Sequence, residues 1–174
     1  MAGEHAVKTQ RIFPTAAQVR QLPLQFSMTV PPHWQDRNGH VNVQFYQTLY
    51  ELGGYQVLEE VDAGESCLLQ HDFGLFDLEH HLYYRAEILV GDKVSTYNRI
   101  LGRNEKRFHG MYLILNDSRD QLACTLEYIT AGVALRDRRM APFPDKLKQG
   151  IDEQMARQRQ LDWAAPVCGA MGVA

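Results

Sequence analysis

The stretch 35-QDRNGHVNVQFYQTLYELGGYQVLEE-60 joins two kinds of chemistry without a spacer. Its residues 36–42 hold an acid (Asp36), two amides (Asn38, Asn42), a glycine (Gly39) and an imidazole (His40). The rest is dense in apolar and aromatic side chains and predicts a helix over 43–60, with Asn42 as its N-cap. The apolar positions Phe45, Tyr46, Leu49, Tyr50, Leu52, Val57 and Leu58 cover more than one face, so a sheet is expected to wrap this helix. Gly53-Gly54 cost about 1 kcal/mol each relative to alanine, which makes sense where the backbone approaches a sheet closely. The polar loop has two readings. It is a solvated cap, or it is a reaction centre at a helix N-terminus, where unpaired N–H groups and the positive dipole end favour developing negative charge.

Outward from the helix the period changes. LQFSMTV (24–30) alternates apolar and polar side chains and reads as a strand stopped by Pro31-Pro32. Over 78–88, Leu78, Leu82, Tyr84, Ala86 and Ile88 fall on one face, and Glu79, His81, Tyr83, Arg85 and Glu87 on the other. A Gly91-Asp92 turn leads into KVSTYNRILG, then RFHGMYLIL, a turn at 116–119 and QLACTLEYITAGVAL, which predicts an antiparallel meander. A charged amphipathic helix is expected over about 144–160. A strand, a long buried helix and then antiparallel strands make an α+β pattern. The expected organisation is an arm outside the core (1–22), a main domain (23–140), and a C-terminal helix and tail (141–174).

Bulk composition narrows the function. A chain of 174 residues, 45% hydrophobic, can bury a core without a disulfide or metal. Its net charge of −3 lacks the basic surplus of an autonomous nucleic-acid binder. Cys67, Cys124 and Cys168 are odd in number and lack metal-ligand spacing, so they are expected to be free thiols in a reducing compartment. The N-terminus has no long apolar core of a secretory signal, and no run approaches the roughly 18–20 apolar residues of a membrane helix. These features predict a cytoplasmic protein with neither membrane nor nucleic acid as partner. His80 and His81 point to opposite strand faces and make a poor metal pair. No nucleophilic serine or cysteine signature is evident.

The loop spells D-x-N-x-H-x-N, as Asp36-Arg37-Asn38-Gly39-His40-Val41-Asn42, with Tyr46 on the following helix. Together with the element order over 24–136 and the Gly-Asp turn before a strand, it resembles the hotdog-fold thioesterases of the acyl-CoA and acyl-ACP branches (the 4-hydroxybenzoyl-CoA thioesterase-like superfamily). The resemblance implies an antiparallel sheet wrapped around a long central helix, with an added C-terminal helix. It also implies a homodimer or homotetramer with active sites at subunit boundaries, and an acyl-CoA substrate hydrolysed without a cofactor. Asp36, Asn38 and His40 occupy the hydrolytic positions. Two departures stand out: Val43 replaces the second asparagine of the commonest form, and Tyr83 falls where the plant acyl-ACP branch has an acid. No catalytic glutamate is therefore claimed on that strand, although Glu79 and Glu87 are close. WQDRNGH (34–40), GRNEKRFH (102–109) and the C-terminal helix are also similar to the thioesterase domains associated with carnitine dehydrogenases. That similarity implies a short or cationic acyl group of the betainyl type.

Thioester hydrolysis needs an oxygen nucleophile and stabilisation of the charge developing on the thioester oxygen. Asp36 would attack the carbonyl to give a mixed anhydride, or act as general base on water; the sequence leaves both open. His40 would position water, support the acid or protonate the thiolate, and Asn38 would orient the acid or the water. Gly39, Val41 and Asn42 form the turn whose backbone would face the carbonyl oxygen. Trp34 and Tyr46 line the acyl pocket or belong to the core; on a quaternary ammonium acyl group their faces would contribute about 0.5–2 kcal/mol by cation–π attraction. Arg99, Arg103, Lys106 and Arg107 meet CoA phosphates or form a solvated turn. The plainer alternatives are an Asx-turn at Asp36, a satisfied histidine at His40 and a simple cap at Asn42. On the same fold, an enoyl-CoA hydratase loop, D-x-N-P-x-H, has a proline that is missing here. An acyl-CoA-binding sensor would need a DNA-binding segment, and residues 1–22 are too short for a helix-turn-helix.

Overall fold

Alternation of large apolar residues on long strands decides the architecture. The computed structural model describes residues 11–61, 64, 70 and 72–173. After the short helix α1 (Ala16–Val19) come β1 (Leu24–Thr29), the long helix α2 (Gln44–Glu60) and β2 (Phe73–Tyr84). Then follow β3 (Lys93–Arg103), β4 (Arg107–Asn116), β5 (Gln121–Ala134), a two-residue β6 (Arg139–Met140) and the helix α3 (Asp145–Gln158). The strands pair antiparallel in the order β1-β3-β4-β5-β2, and β6 joins the end of β5. The curled sheet wraps α2, which is the hotdog arrangement and an α+β fold, as expected.

Each face of the sheet has its own core. On the inner face, Ile100, Phe108, Tyr112, Leu126 and Tyr128 pack on Tyr50 and Val57 of α2, while Val94, Ile114 and Cys124 pack on Tyr46 and Leu49. The approach is closest at Gly53. A Cβ there would lie 2.7 Å from Thr96 Oγ1 and 2.9 Å from Tyr112 Cε1, whereas one on Gly54 would come no nearer than 3.8 Å. Only the first glycine of the pair is demanded by packing.

The outer face carries part of the arm expected outside the core. Ala16, Val19 and Leu22 are buried with Tyr97, Met111, Leu113, Leu115 and Leu122. Trp163 of the C-terminal tail joins them, and its Nε1 donates to Gln21 Oε1 at 3.0 Å. The reason is that inner and outer residues of β3–β5 are both apolar, so the outer face also needs a cover.

β2 corrects a second expectation. It starts at Phe73, and its pairing with β5 shifts between Asp77 and Glu79. The bulge throws Leu78 out of phase, leaving it 51% exposed. Asp77 and His80 thereby reach Tyr50 of α2, and Tyr84 reaches Tyr46. β2 ends at Tyr84, where the N–H groups of Arg85 and Ala86 both bond to the Ala123 carbonyl. The helix expected over 144–160 is α3, held to β3 by Gln158, which accepts from Ile100 N at 2.7 Å and donates to Asn98 O at 3.1 Å.

The tight contact at Gly53 has a measurable consequence. Gly53→Ala forces overlap with Thr96 and Tyr112 and is expected to destabilise the fold by about 1–3 kcal/mol, read as a lower melting temperature. An unchanged melt would mean that α2 can lift off the sheet at no cost.

Candidate active site

The loop before α2 is clamped at its base and open at its tip. Asp36 N–H bonds to His40 O at 2.9 Å and Gly39 N–H to Asp36 O at 3.1 Å, closing a tight turn. Gly39 has φ +89°, a left-handed conformation that a side chain would strain. At the base, Val41 N–H donates to Ile88 O at 2.8 Å and Asn42 N–H to Trp34 O at 2.9 Å. Val43 already has helical dihedrals, and Asn42 Oδ1 accepts from Gln44 N–H at 3.1 Å, so Asn42 is the cap that the sequence predicts.

These bonds revise the expected use of the turn. The N–H groups of Gly39, Val41 and Asn42 all donate within the protein, so none is available to a substrate oxygen. The N–H of Val43 makes no hydrogen bond among the described residues, and Val43 lines the cleft beside the loop.

Asp36, Asn38 and His40 do come together. Asp36 Oδ1 accepts from Asn38 N–H at 2.7 Å and Oδ2 from Asn38 Nδ2 at 3.3 Å. The Asx-turn of the plainer alternative is therefore present, and it also fixes the direction of the carboxylate. His40 Nδ1 lies 3.7 Å from Asp36 Oδ2 and 3.1 Å from Val41 O. A proton on Nδ1 donates to that carbonyl and leaves Nε2 with its lone pair. Partial burial pushes the Asp36 carboxyl up, but the Asn38 backbone N–H, the charge of His40 and the Asn38 side chain outweigh it. The net direction is below the ordinary carboxylate range, so Asp36 is ionised at neutral pH.

Beside the loop opens a cleft of about 300 Å³, lined by His40, Val43, Tyr46, Tyr84, Arg85 and Glu87. Burial raises the Tyr46 phenol and keeps it neutral. Glu87, assigned by alternation to the outer strand face, lines this cleft because β2 has ended before it. Trp34 lines neither this cleft nor the pocket described next: it is 5% exposed and stacked on Phe45 at 4.7 Å. Arg99 lies over Trp163 and donates to its carbonyl at 2.6 Å, and Arg103 Nε donates to Asp152 at 2.7 Å. These two arginines fasten the tail and α3.

A second pocket, about 180 Å³, lies between α2 and the sheet and includes Tyr50, Glu51, Asp77, Phe108, Tyr112 and Tyr128. Tyr50 Oη donates to the Asp77 carboxylate at 2.8 Å, and Thr130 Oγ1 donates to Asp77 Oδ1 at 2.6 Å. His80 Nε2 is 3.3 Å from Asp77 Oδ2, and His80 Nδ1 is 3.1 Å from Gln47 Nε2. Burial raises the Asp77 carboxyl, but His80, Thr130 and Tyr50 together hold it below its usual range. Sequence reasoning missed Asp77 because the expected strand began one residue later. The signal was an acid set among Phe73, Leu75, Phe76 and Leu78. Among the described residues no three His, Cys, Asp or Glu side chains converge as metal ligands. Cys124 is a buried thiol pushed up to about 12 by burial, and Cys67 lies outside the described residues.

Residues 30–151 match the model of the thioesterase-like superfamily. The chain belongs to that superfamily. As a member of it, the protein is a thioester hydrolase. A betainyl-CoA thioesterase of Pseudomonas aeruginosa is 24% identical over 141 residues, covering 81% of this chain and 89% of that one. An L-carnitine dehydrogenase/betainyl-CoA thioesterase of Agrobacterium fabrum is 26% identical over 134 residues, 72% of this chain but 25% of the longer protein. A Staphylococcus aureus protein solved in complex with CoA superposes with a TM-score of 0.76 at 21% identity, covering 88% of this chain and 97% of that one. A 1,4-dihydroxy-2-naphthoyl-CoA thioesterase from Synechocystis gives 0.65 at 19% identity, over 74% and 94%.

A depressed carboxyl sets the sign of the pH dependence. If hydrolysis uses the ionised Asp36 carboxylate, activity is present above its folded-state value and is lost as pH falls through it. The acid limb of kcat/KM is expected below about pH 4, the ordinary aspartate value. Asn38→Ala removes the side-chain donor and is expected to move that limb upward. A limb unmoved by Asn38→Ala would mean that another group governs it.

Proposed function

We propose that the protein hydrolyses acyl-CoA thioesters at the Asp36 loop, and that its acyl group is short and of the cationic, betainyl type. The observation that carries the reaction is the ionised Asp36 carboxylate, aimed by Asn38 and flanked by His40. Asp36 supplies the carboxylate, as nucleophile on the thioester carbon or as base on water. His40 holds or delivers a proton beside it. The Val43 N–H at the start of α2 is the donor for the oxygen on which charge develops, helped by the helix dipole. The names of the two curated relatives and the small cleft volumes support the acyl group.

The reading includes a homodimer paired through β2. That strand is twelve residues long, lies at the sheet edge, and exposes Phe76, Leu78, Tyr83 and Tyr84. An unpaired edge of this length invites a partner strand. Antiparallel pairing with a second copy, centred near the middle of β2, reverses the strand. The Tyr84 end of one chain, next to Tyr46 and the catalytic loop, then lies beside the Asp77 pocket of the other. Residence in the reducing cytoplasm goes with this reading, supported by the free thiols of Cys124 and Cys168.

Thiol release from acetyl-, betainyl-, medium-chain, long-chain and aryl-CoA tests the substrate class, with sedimentation run beside it. Fast turnover of betainyl-CoA by a dimer is expected, with long-chain CoA slower by at least about tenfold in kcat/KM. Preference for the long chain, or a monomer with full activity, would overturn the respective part.

A further inference from the structure

The pocket under α2 combines features that the hydrolytic loop does not use. Its rings stand at steep angles: Tyr50 and Tyr112 at 82° with centroids 4.9 Å apart, Phe108 and Tyr128 at 88° and 5.8 Å. Tyr50 and Tyr128 meet at 55° and 5.6 Å. Packed on one another, they line one side of a half-open pocket. Among the described residues no lysine or arginine lines it, whereas Asp77 and Glu51 bring negative charge. Asp77 has one ion-pair partner among the described residues, His80, which is cationic only when protonated.

From this arrangement we propose that the pocket recognises a quaternary ammonium group, with Tyr50, Tyr112, Tyr128 and Phe108 as the aromatic walls and Asp77 as the opposing charge. Aromatic faces attract a cation through their quadrupole, most strongly where water is excluded. The hydrogen bonding favours a methylated cation over a primary amine. Asp77 Oδ1 already accepts from Thr130, the one Tyr50 phenol proton is shared between Oδ1 and Oδ2, and His80 stands close to Oδ2. With two hydroxyl protons and His80 already facing the carboxylate, fewer of its roughly four acceptor sites remain than the three N–H groups of a primary ammonium need, and at least one would enter the pocket unsatisfied. A trimethylammonium group has no N–H to satisfy. Its compact shape also suits about 180 Å³, well below the 300–1,000 Å³ of a typical small-molecule pocket. The site replaces Trp34, whose face is covered by Phe45, as the seat of cation–π recognition.

The link to catalysis rests on the dimeric thioesterase reading above. Within one chain Tyr50 lies about 10 Å along α2 from Val43, too far for a short acyl group to span. In the proposed pairing, the Leu75 end of one copy's pocket would face the Leu82–Tyr84 end of the other copy's β2, beside its loop.

Two measurements on the full chain test the proposal. In the first, tetramethylammonium is titrated calorimetrically into wild type and Asp77→Asn. Saturable binding by wild type, weakened about tenfold or more in the variant, is expected. No saturable binding by wild type, or equal binding by a folded variant, overturns the proposal. In the second, wild-type kcat/KM is compared for betainyl-CoA and for 3,3-dimethylbutyryl-CoA, its uncharged isostere. A preference of about tenfold or more for the cation is expected. A ratio near one overturns the proposal while hydrolysis of both leaves the thioesterase reading standing. If neither thioester is cleaved, that reading fails and the tetramethylammonium titration decides the pocket by itself. Neither wild-type measurement depends on how well the variant folds.

Discussion

Burial of α2 against the inner face of the sheet fixes where its N-terminus emerges, and the Asp36 loop with it. Gly53 lets the helix backbone settle onto Thr96 and Tyr112, which sets the depth of the helix in the sheet. Leu49 is fully buried and Tyr46 nearly so, which sets its rotation. From that fixed end, two backbone bonds, to Ile88 and to Trp34, pin the base of the loop. The loop tip then needs only one left-handed glycine and one Asx-turn to aim a carboxylate. A side chain that must be held within a few tenths of an ångström is thus positioned by a rigid element, with little left to loop flexibility.

Two carboxylates along the helix–sheet contact, one at the start of α2 and one beside its middle, differ in what balances them. Asp36 is partly exposed, hydrogen-bonded through its neighbour Asn38, and close to His40. Asp77 lines the aromatic pocket with its side chain 35% exposed, and takes hydroxyl donors from α2 and β5. Both are held ionised, the first by backbone and local amide donors, the second by hydroxyls and His80. An ionised group beside a cleft suits chemistry on an electrophilic carbon. An ionised group within an aromatic pocket suits a cation. The difference lies in the environment of each acid, since the side chains are identical.

What could be read from the sequence was local. The D-x-N-x-H-x-N spacing, the Asn42 cap, the breadth of the apolar pattern on α2 and the β3–β5 meander all depend on near neighbours, and the structure has each of them. What could not be read depends on distant partners. The bulge at Leu78 is set by pairing with β5, and it alone turns Asp77 inward. The N–H groups of Val41 and Asn42 are consumed by Ile88 and Trp34, which no loop motif announces. Val19 and Leu22 come from too short a helix to show a period, yet the apolar outer face of β4 and β5 requires them. Trp34 looked available for an acyl group because the sequence does not say that Phe45 stacks on it.

If the Asp36 carboxylate performs thioester hydrolysis at the start of α2, its negative charge is indispensable to the chemical step. Single-turnover thiol release by wild type and Asp36→Asn, with matched circular dichroism spectra, tests it most directly. The substitution keeps the size of the side chain and its bond from the Asn38 N–H while removing the charge. The account predicts a loss of about 10²–10⁴-fold in the chemical step of a folded protein. Equal rates for the two proteins would contradict it and move the reaction away from this loop.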